Sequence, residues 1–445
     1  MMRCIAVLRW RHGGVRQGGR GQRGSTGLSR RARGREQPPG GARRLRTGSP
    51  SRMTEYPPRA AEAVRRRLTG GADPIPGEEP AALLALGSPV ITDHPSDPQL
   101  VRALFVWHEE SGDPPSGVYL WVNRLTDKGH INRGMMRPRG GGLWFVELTA
   151  PRDVLATYRF LPLSAGQRGQ QQVPPPRELL RFAEVDPENA TAAAGSPFGS
   201  VLAGPAAPGI EAWTSPAAVT STVVDRTVDV GPVSVRYRLA VPRGPVPADL
   251  LVVFDADSWF DRFRLPDVLA AEGRRCAVLG IDSPADPAAR LRFLSAHDGL
   301  FEALGAQAIP DARRRIGADR VVVAGQSLGG LAALAFAARN PDLVDEVLAY
   351  SPSVWWRPGI IGRPADVTAR QAWVHDLVRR CPPGAFSIRL ASGAFEEELT
   401  PGVRDLAATA EAAGHLVEHT VYTGGHDEVQ WAAHLLADLA AAPQH

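Results

Sequence analysis

The chain has 445 residues, 43% apolar and 22% charged, an ordinary globular balance with enough material for two or three domains. Its cysteines, Cys4, Cys276 and Cys381, are scattered, odd in number and lack C-x-x-C spacing. That argues against a disulfide framework or a structural zinc and fits a reducing compartment, so a cytoplasmic setting is expected. The formal charge of +4 is unevenly placed: residues 1–52 are dense in arginine with Glu36 as their single acid, and the remainder is net acidic.

The Arg-rich stretch 1–52 reads as a disordered extension, or as sequence upstream of a start at Met53. A nucleic-acid arm and an organellar presequence are the other compositions of this kind. Neither a nucleic-acid partner nor a membrane is expected. The opening segment is broken by Arg9 and Arg11, and no apolar run approaches the ~20 residues that span a bilayer. Ala60–Leu68 and Ala81–Leu86 read as short helices.

From Pro98 to Pro162 the pattern turns to β. The runs VRALFVWHE, GVYLWVNRL, GLWFVELTA and ATYRFLPL alternate and are divided by turn residues, with no helical pattern between them. They predict a small antiparallel β-sandwich within residues 53–165. Residues 166–209, rich in Gln, Pro, Ala and Gly, read as a linker that wraps rather than packs. Residues 210–445 then alternate strands and helices. VSVRYRLAV reads as an edge strand, and DLLVVFD, RCAVLGID and DRVVVAG as strands buried on both faces. Helices are expected over Leu291–Ile316 with a break near Pro310, over Leu328–Arg339 and over Pro401–Ala413. The fold class is therefore α/β, a three-layer α/β-hydrolase domain preceded by the β-sandwich. Nothing in the sequence sets an oligomeric state.

The strand–turn–helix RVVVAGQSLGGLAALAFAA holds the chemistry. Its G-x-S-x-G places Ser327 on a strained turn that needs small neighbours, supplied by Gly325, Gly329 and Gly330. Ser327 is the candidate nucleophile, against the alternative of an ordinary strand–helix turn. The helix behind it points the Leu328 amide at the site as one oxyanion donor. The loop FDADSWFDRF follows another sheet strand, and an amide near Asp257 or Ser258 is the candidate second donor. Asp255 and Asp257 are too sparse a pair to indicate a metal, and neither a metal nor a cofactor is expected.

The triad order is Ser, acid, His. Of the downstream histidines, His375 and His434 fall in helical patterns and His415 and His419 flank a strand. His426, in the glycine-flanked loop of VYTGGHDEVQW, is the expected base. The acid should lie in SGAFEEELTPG. Glu396, three residues after Gly393, is favoured, with Glu397 next; a Glu run is otherwise a solvated surface. Asp427 reads as a helix cap.

Together these segments resemble the enterochelin esterase family, from about Asp97 to the C-terminus. The likeness rests on VVFDADSWF, VVVAGQSLGG, SPSVWW and GGHDEVQW in the catalytic half. In the first half it rests on LWVNRLTDKG, ATYRFLP and VDPENA. The resemblance implies a two-domain cytoplasmic serine esterase, with Ser327 and His426 as nucleophile and base and the acid near Glu396. It implies, as substrate, a ferric catecholate siderophore whose trilactone esters are hydrolysed to release iron. Here the tryptophan pair is followed by Arg357, a departure from the family pattern. Trp355, Trp356 and Arg357 would suit an anionic, aromatic substrate, although a Trp pair is more often core. Arg290 and Arg292 are weaker cation candidates. The alternatives are a general carboxylesterase or esterase-D-type acyltransferase, and a binding protein with an inert hydrolase half.

Overall fold

Alternating β-branched and aromatic residues favour extended backbone with one face to bury, and at the N-terminal end two sheets do this against each other. The computed structural model describes residues 87–441, apart from 110–113, 128–130, 165–176, 215–220, 245–246, 296–297 and 361–372. The expected helices Ala60–Leu68 and Ala81–Leu86, and the stretch 1–52, lie outside the described residues.

The strands are β1 (Val90–Asp93), β2 (Leu100–His108), β3 (Gly117–Val122), β4 (Arg137–Gly140), β5 (Leu143–Pro151), β6 (Leu155–Leu163) and β7 (Ser200–Ala203). They form one sheet in the order β1-β2-β5-β4 and a second in the order β3-β6-β7. All pairings are antiparallel. Phe105 of β2, Leu148 of β5, Leu120 of β3 and Phe160 of β6 share one buried cluster, so the two sheets close as a sandwich.

The expected linker needs correction. Residues 166–209 contain β7, which pairs with β6 over Ser200–Ala203 and so completes the second sheet. A helical turn, Ala190–Ala193, precedes it, capped by Asn189, whose side chain accepts from the Ala192 amide. Asn189 also donates to Tyr158 Oη and Val201 O. A short polar and small-residue sequence can thus be held by a few buried hydrogen bonds, which composition does not reveal.

The second half is built on β8 (Ser221–Val230), β9 (Val233–Pro242), β10 (Asp249–Phe254), β11 (Cys276–Ile281), β12 (Arg320–Gln326), β13 (Glu346–Tyr350), β14 (Ser387–Gly393) and β15 (Val417–Tyr422). The sheet order is β15-β14-β13-β12-β10-β11-β9-β8. Strands β10 to β15 run parallel, while β9 and β8 are antiparallel additions. The edge is therefore β8, which pairs along the whole of VSVRYRLAV and makes β9 an inner strand, contrary to expectation. The β8 sequence STVVDRTVDV exposes most of its residues, so it carries little of the apolar signal used to find buried strands.

Seven helices matter to the site's frame: α1 (Leu265–Ala271), α2 (Pro287–Leu294), α3 (Ile309–Ile316), α4 (Leu328–Arg339), α5 (Trp373–Arg379), α6 (Thr400–Ala412) and α7 (Glu428–Ala441). Successive strand residues point to opposite faces. Leu250, Val252, Val321 and Val323 accordingly enter one core with α3, α4, α5 and α6. Leu251, Val253, Val322 and Ala324 enter the other with α1 and α7. This is the three-layer arrangement, each buried Val or Leu contributing roughly 1.5–3 kcal/mol. The break expected near Pro310 falls earlier, where α2 ends at Leu294 and is capped by Ser295. Pro310 lies in the first turn of α3, where a missing amide proton is tolerated. No helix among the described residues is long and apolar enough to cross a membrane. Sandwich and sheet belong to the same compact unit.

Candidate active site

In open parallel sheets the carboxyl ends of the strands face the crevice where ligands bind. Ser327 follows β12, Ser351 follows β13, Glu396 follows β14 and His426 follows β15, so four neighbouring strands deliver side chains to one place. Ser327 has φ 54° and ψ −117°, a conformation strained for a side-chain-bearing residue. It is held from both sides: its amide donates to Tyr350 O at 2.9 Å, and its carbonyl accepts from the Ser353 amide at 2.9 Å. A Cβ on Gly325 would strike the backbone of Gly329 and Gly330, and one on Gly330 would press on Gly325 O and Pro352 at 3.1–3.2 Å. Gly329 differs from expectation, since a Cβ there would make only ordinary contacts at 3.5 Å.

His426 Nε2 lies 3.0 Å from Ser327 Oγ, and His426 Nδ1 lies 2.5 Å from Glu396 Oε1. The carboxylate only accepts, so Nδ1 carries the proton and leaves Nε2 free to accept from the serine. Glu396 is fully buried, while Glu397 and Glu398 are exposed. Its second oxygen accepts from Ser351 Oγ at 2.6 Å and from the Gly393 amide at 2.7 Å. Burial pushes this carboxyl up, but the His426 charge and hydrogen bond, with those of Ser351 and Gly393, outweigh it and hold it below the usual carboxylate range.

Sequence reasoning missed Ser351. It sits at φ 43°, and its hydroxyl also meets Tyr422 Oη at 2.8 Å and accepts from Trp431 Nε1 at 3.1 Å. The Trp431 ring in turn lies edge-on to His426, with centroids 4.8 Å apart. The only local hint is its position after an apolar strand, in SPSVWW.

The remaining histidines are packed elsewhere. His415 touches Phe386 O and Val378 O, and His419 meets Ser392 Oγ. Burial, assisted by Arg404, pushes His419 down to about 4, and burial does the same to His434.

The Leu328 amide opens α4 directly after Ser327, as expected. Asp257 begins a π-helical turn, Asp257–Arg262, after β10. In that turn the Ser258 and Trp259 amides donate to Asp255 O. Asp255, at φ 60°, is buried and takes a bidentate ion pair from Arg290, with bonds of 2.7 and 2.5 Å. Arg290 is thus a brace for this loop rather than a free cation.

The tryptophans also depart from expectation. Trp355 and Trp356 keep only 9% and 6% of their surface exposed and join the core beside α4 and α5. Trp356 packs edge-on to Trp373 with centroids 5.2 Å apart. Arg357 alone of this trio is exposed. Indoles carry a large apolar area, and here its burial goes to the core beside α4 and α5.

The loop that carries His426 is gripped by the sandwich. Asn123 Nδ2 donates to His426 O at 2.8 Å. The Thr157 amide and hydroxyl donate to Asp427 Oδ2 at 2.7 and 2.9 Å, and Thr423 Oγ1 donates to Asp153 at 2.8 Å. Asp427 also accepts from the Val429 amide at the start of α7, so the expected cap doubles as a tie to β6. Phe395, adjacent to the acid, is buried in the core of the sandwich itself.

A strained serine at a strand–helix elbow, joined through histidine to a buried carboxylate on a parallel sheet, defines the class as an α/β-hydrolase of the serine esterase type. The family comparisons agree on both halves. Residues 308–442 match the family described as "Putative esterase", and residues 102–213 match the family described as the N-terminal domain of enterochelin esterase. The two halves of the chain thus resemble the two domains of the enterochelin esterases. It is 29% identical to an iron(III) salmochelin esterase of Escherichia coli over 79% of this chain and 90% of that one. An iron(III) enterobactin esterase of Dickeya dadantii is 27% identical over 82% and 93%. The crystal structure of a ferric enterobactin esterase from Salmonella typhimurium superposes with a TM-score of 0.66 at 23% identity, covering 81% of this chain and 98% of that one.

Proposed function

We propose that this esterase hydrolyses the ester bonds of a ferric catecholate siderophore, a cyclic trilactone of catechol-acylated serine, and so aids iron release in the cytoplasm. The Glu396–His426–Ser327 chain of hydrogen bonds is the observation that carries the reaction. The named relatives supply the substrate class. Iron enters and leaves with the substrate.

In this reading Ser327 Oγ attacks a lactone carbonyl while His426 Nε2 takes its proton. Glu396 holds the tautomer and stabilises the imidazolium. The carbonyl oxygen, now an oxyanion, is held by the amides of Leu328 and Asp257, each worth about 3–4 kcal/mol in such sites. Collapse expels the serine alkoxide of the substrate, which receives the proton from His426. Water then attacks the acyl-enzyme, giving up its proton to His426, and the freed acid leaves Ser327 restored. Linear and smaller catechol–serine fragments are the products.

Product masses after incubation with a ferric trilactone test this. Stepwise gain of water is expected with the wild type and none with Ser327→Ala. An intact trilactone in both sinks the substrate assignment. A second reading, a general carboxylesterase, draws on the burial of Trp355 and Trp356, which leaves a smaller aromatic wall than expected. A strong preference for short p-nitrophenyl esters over the trilactone would favour it.

A further inference from the structure

The turn that follows β3 reaches the base. Asn123 bonds the carbonyl of His426, and the next residue, Arg124, sits at φ 60° in the left-handed region. Residues with side chains adopt that region at a cost, and such strain concentrates where geometry serves a site. The stem of Arg124 lies across Gly425, the residue before His426. Any Cβ at 425 would collide with Arg124 Cγ and come within 2.5 Å of its Cβ. The glycine there is therefore what admits the arginine stem.

The far end of Arg124 differs from several other arginines of the fold, although Arg133, Arg274 and Arg404 also leave a guanidinium nitrogen unbonded among the described residues; of these, only Arg124 stands beside the histidine loop. Arg238, Arg290, Arg320 and Arg389 each hold a carboxylate. The Arg124 guanidinium has no hydrogen bond or ion pair among the described residues, although the residue is half-buried. A half-buried cation with a fixed, strained backbone and no internal partner is arranged to meet an anion from outside the chain.

We infer that Arg124, contributed by the sandwich, is a specificity-determining residue that receives an anionic group of the ester substrate beside His426. Its planar fork suits paired oxygens and its face suits an aromatic ring, which a catecholate offers together. The identity of that anion as a ferric catecholate rests on the proposed function; the charge preference itself does not.

A matched pair of p-nitrophenyl esters, the anionic hemisuccinate and the neutral butyrate, separates the two. In Arg124→Gln the ratio of kcat/KM for hemisuccinate over butyrate should fall about tenfold, carried by KM, and Arg124→Lys should recover part of it. Raising the salt concentration should lower the wild-type ratio toward that of the Gln variant. With the ferric trilactone, KM should rise in the same variant. An unchanged ratio, or equal losses on both esters, overturns the assignment and leaves Arg124 as a brace for the loop. A wild type that leaves the trilactone intact defeats the siderophore reading alone, because the ester pair still decides the role of Arg124.

Discussion

The proposed nucleophile and its two partners are held by different means. Ser327 is fixed by its own neighbourhood: β13 accepts from its amide, α4 and the segment after β13 donate to its carbonyl, and its glycines clear the turn. His426 and Glu396 sit on loops whose restraints come from the other end of the chain. Asn123, Asp153 and Thr157 grip the histidine loop, Gln430 Nε2 donates to Leu155 O, and Phe395 is inserted into the sandwich core. An elbow is strained but local, so it can be specified within a few residues. A histidine on a loop after an edge strand has no such local frame, and the sandwich supplies one.

The largest test removes the chemistry on either side of this divide. Ser327→Ala and His426→Ala should each lower kcat by about 10^4-fold or more, and the double variant should be scarcely worse, because the residues act as a unit. Additive losses in single-turnover assays would break the assignment. Glu396→Gln should lower kcat by about 10^3- to 10^4-fold, whereas Glu397→Gln should stay within about twofold. Similar effects of the two would return the choice of acid to the open run of glutamates.

A smaller effect is expected where the sandwich meets the acid. Phe395→Ala should destabilise by about 3–5 kcal/mol in urea unfolding. Phe105→Ala, deeper in the same core, should cost a comparable amount. Only the first should also lower kcat per folded molecule on a small ester, because Phe395 adjoins Glu396. Equal kcat in the two variants would mean that the insertion stabilises without positioning. Asn123→Ala should lower kcat by about tenfold with little change in KM, since it loosens the base and not the substrate. A pure KM effect would contradict this.

The smallest effect concerns pH. Burial pushes Asp427 up to about 6 from an ordinary 3.8, against the opposing bonds from Thr157 and Val429. A folded-state value above the unfolded one means the folded protein binds that proton more tightly. The contribution is therefore complete below about pH 4 and is lost as pH rises through about 6. Asp438 is also raised to about 6 by burial and follows the same sense. Asp427→Asn keeps an acceptor for Thr157 and should flatten, without abolishing, the fall in urea midpoint between pH 4 and 7. An identical slope in the variant would show that Asp427 does not titrate in this range.

Much of this was legible from residues alone. The buried strands β10, β11 and β12 declared themselves as short apolar runs, because a strand covered on both faces has no polar side to show. The elbow did so because its strain demands small residues at set offsets. Strand β8 was missed because most of its residues face solvent, and β7 because four residues in a small-residue stretch carry no period. The display of Trp355 and Trp356 was overstated, since an apolar aromatic reads the same in a core and beside a ligand.

The sequence by itself therefore determined the fold class, and it singled out Ser327 with its amide neighbour Leu328, and His426, as the candidate nucleophile, oxyanion donor and base. Each depends on local pattern or on the order of elements along the chain. Only the tertiary structure decided that Glu396 rather than Glu397 meets the histidine, since that choice turns on which of two adjacent side chains faces inward. It alone brought Ser351, Asn123 and Arg124 to the site. Those contacts join segments that lie far apart in sequence, and no local propensity records them.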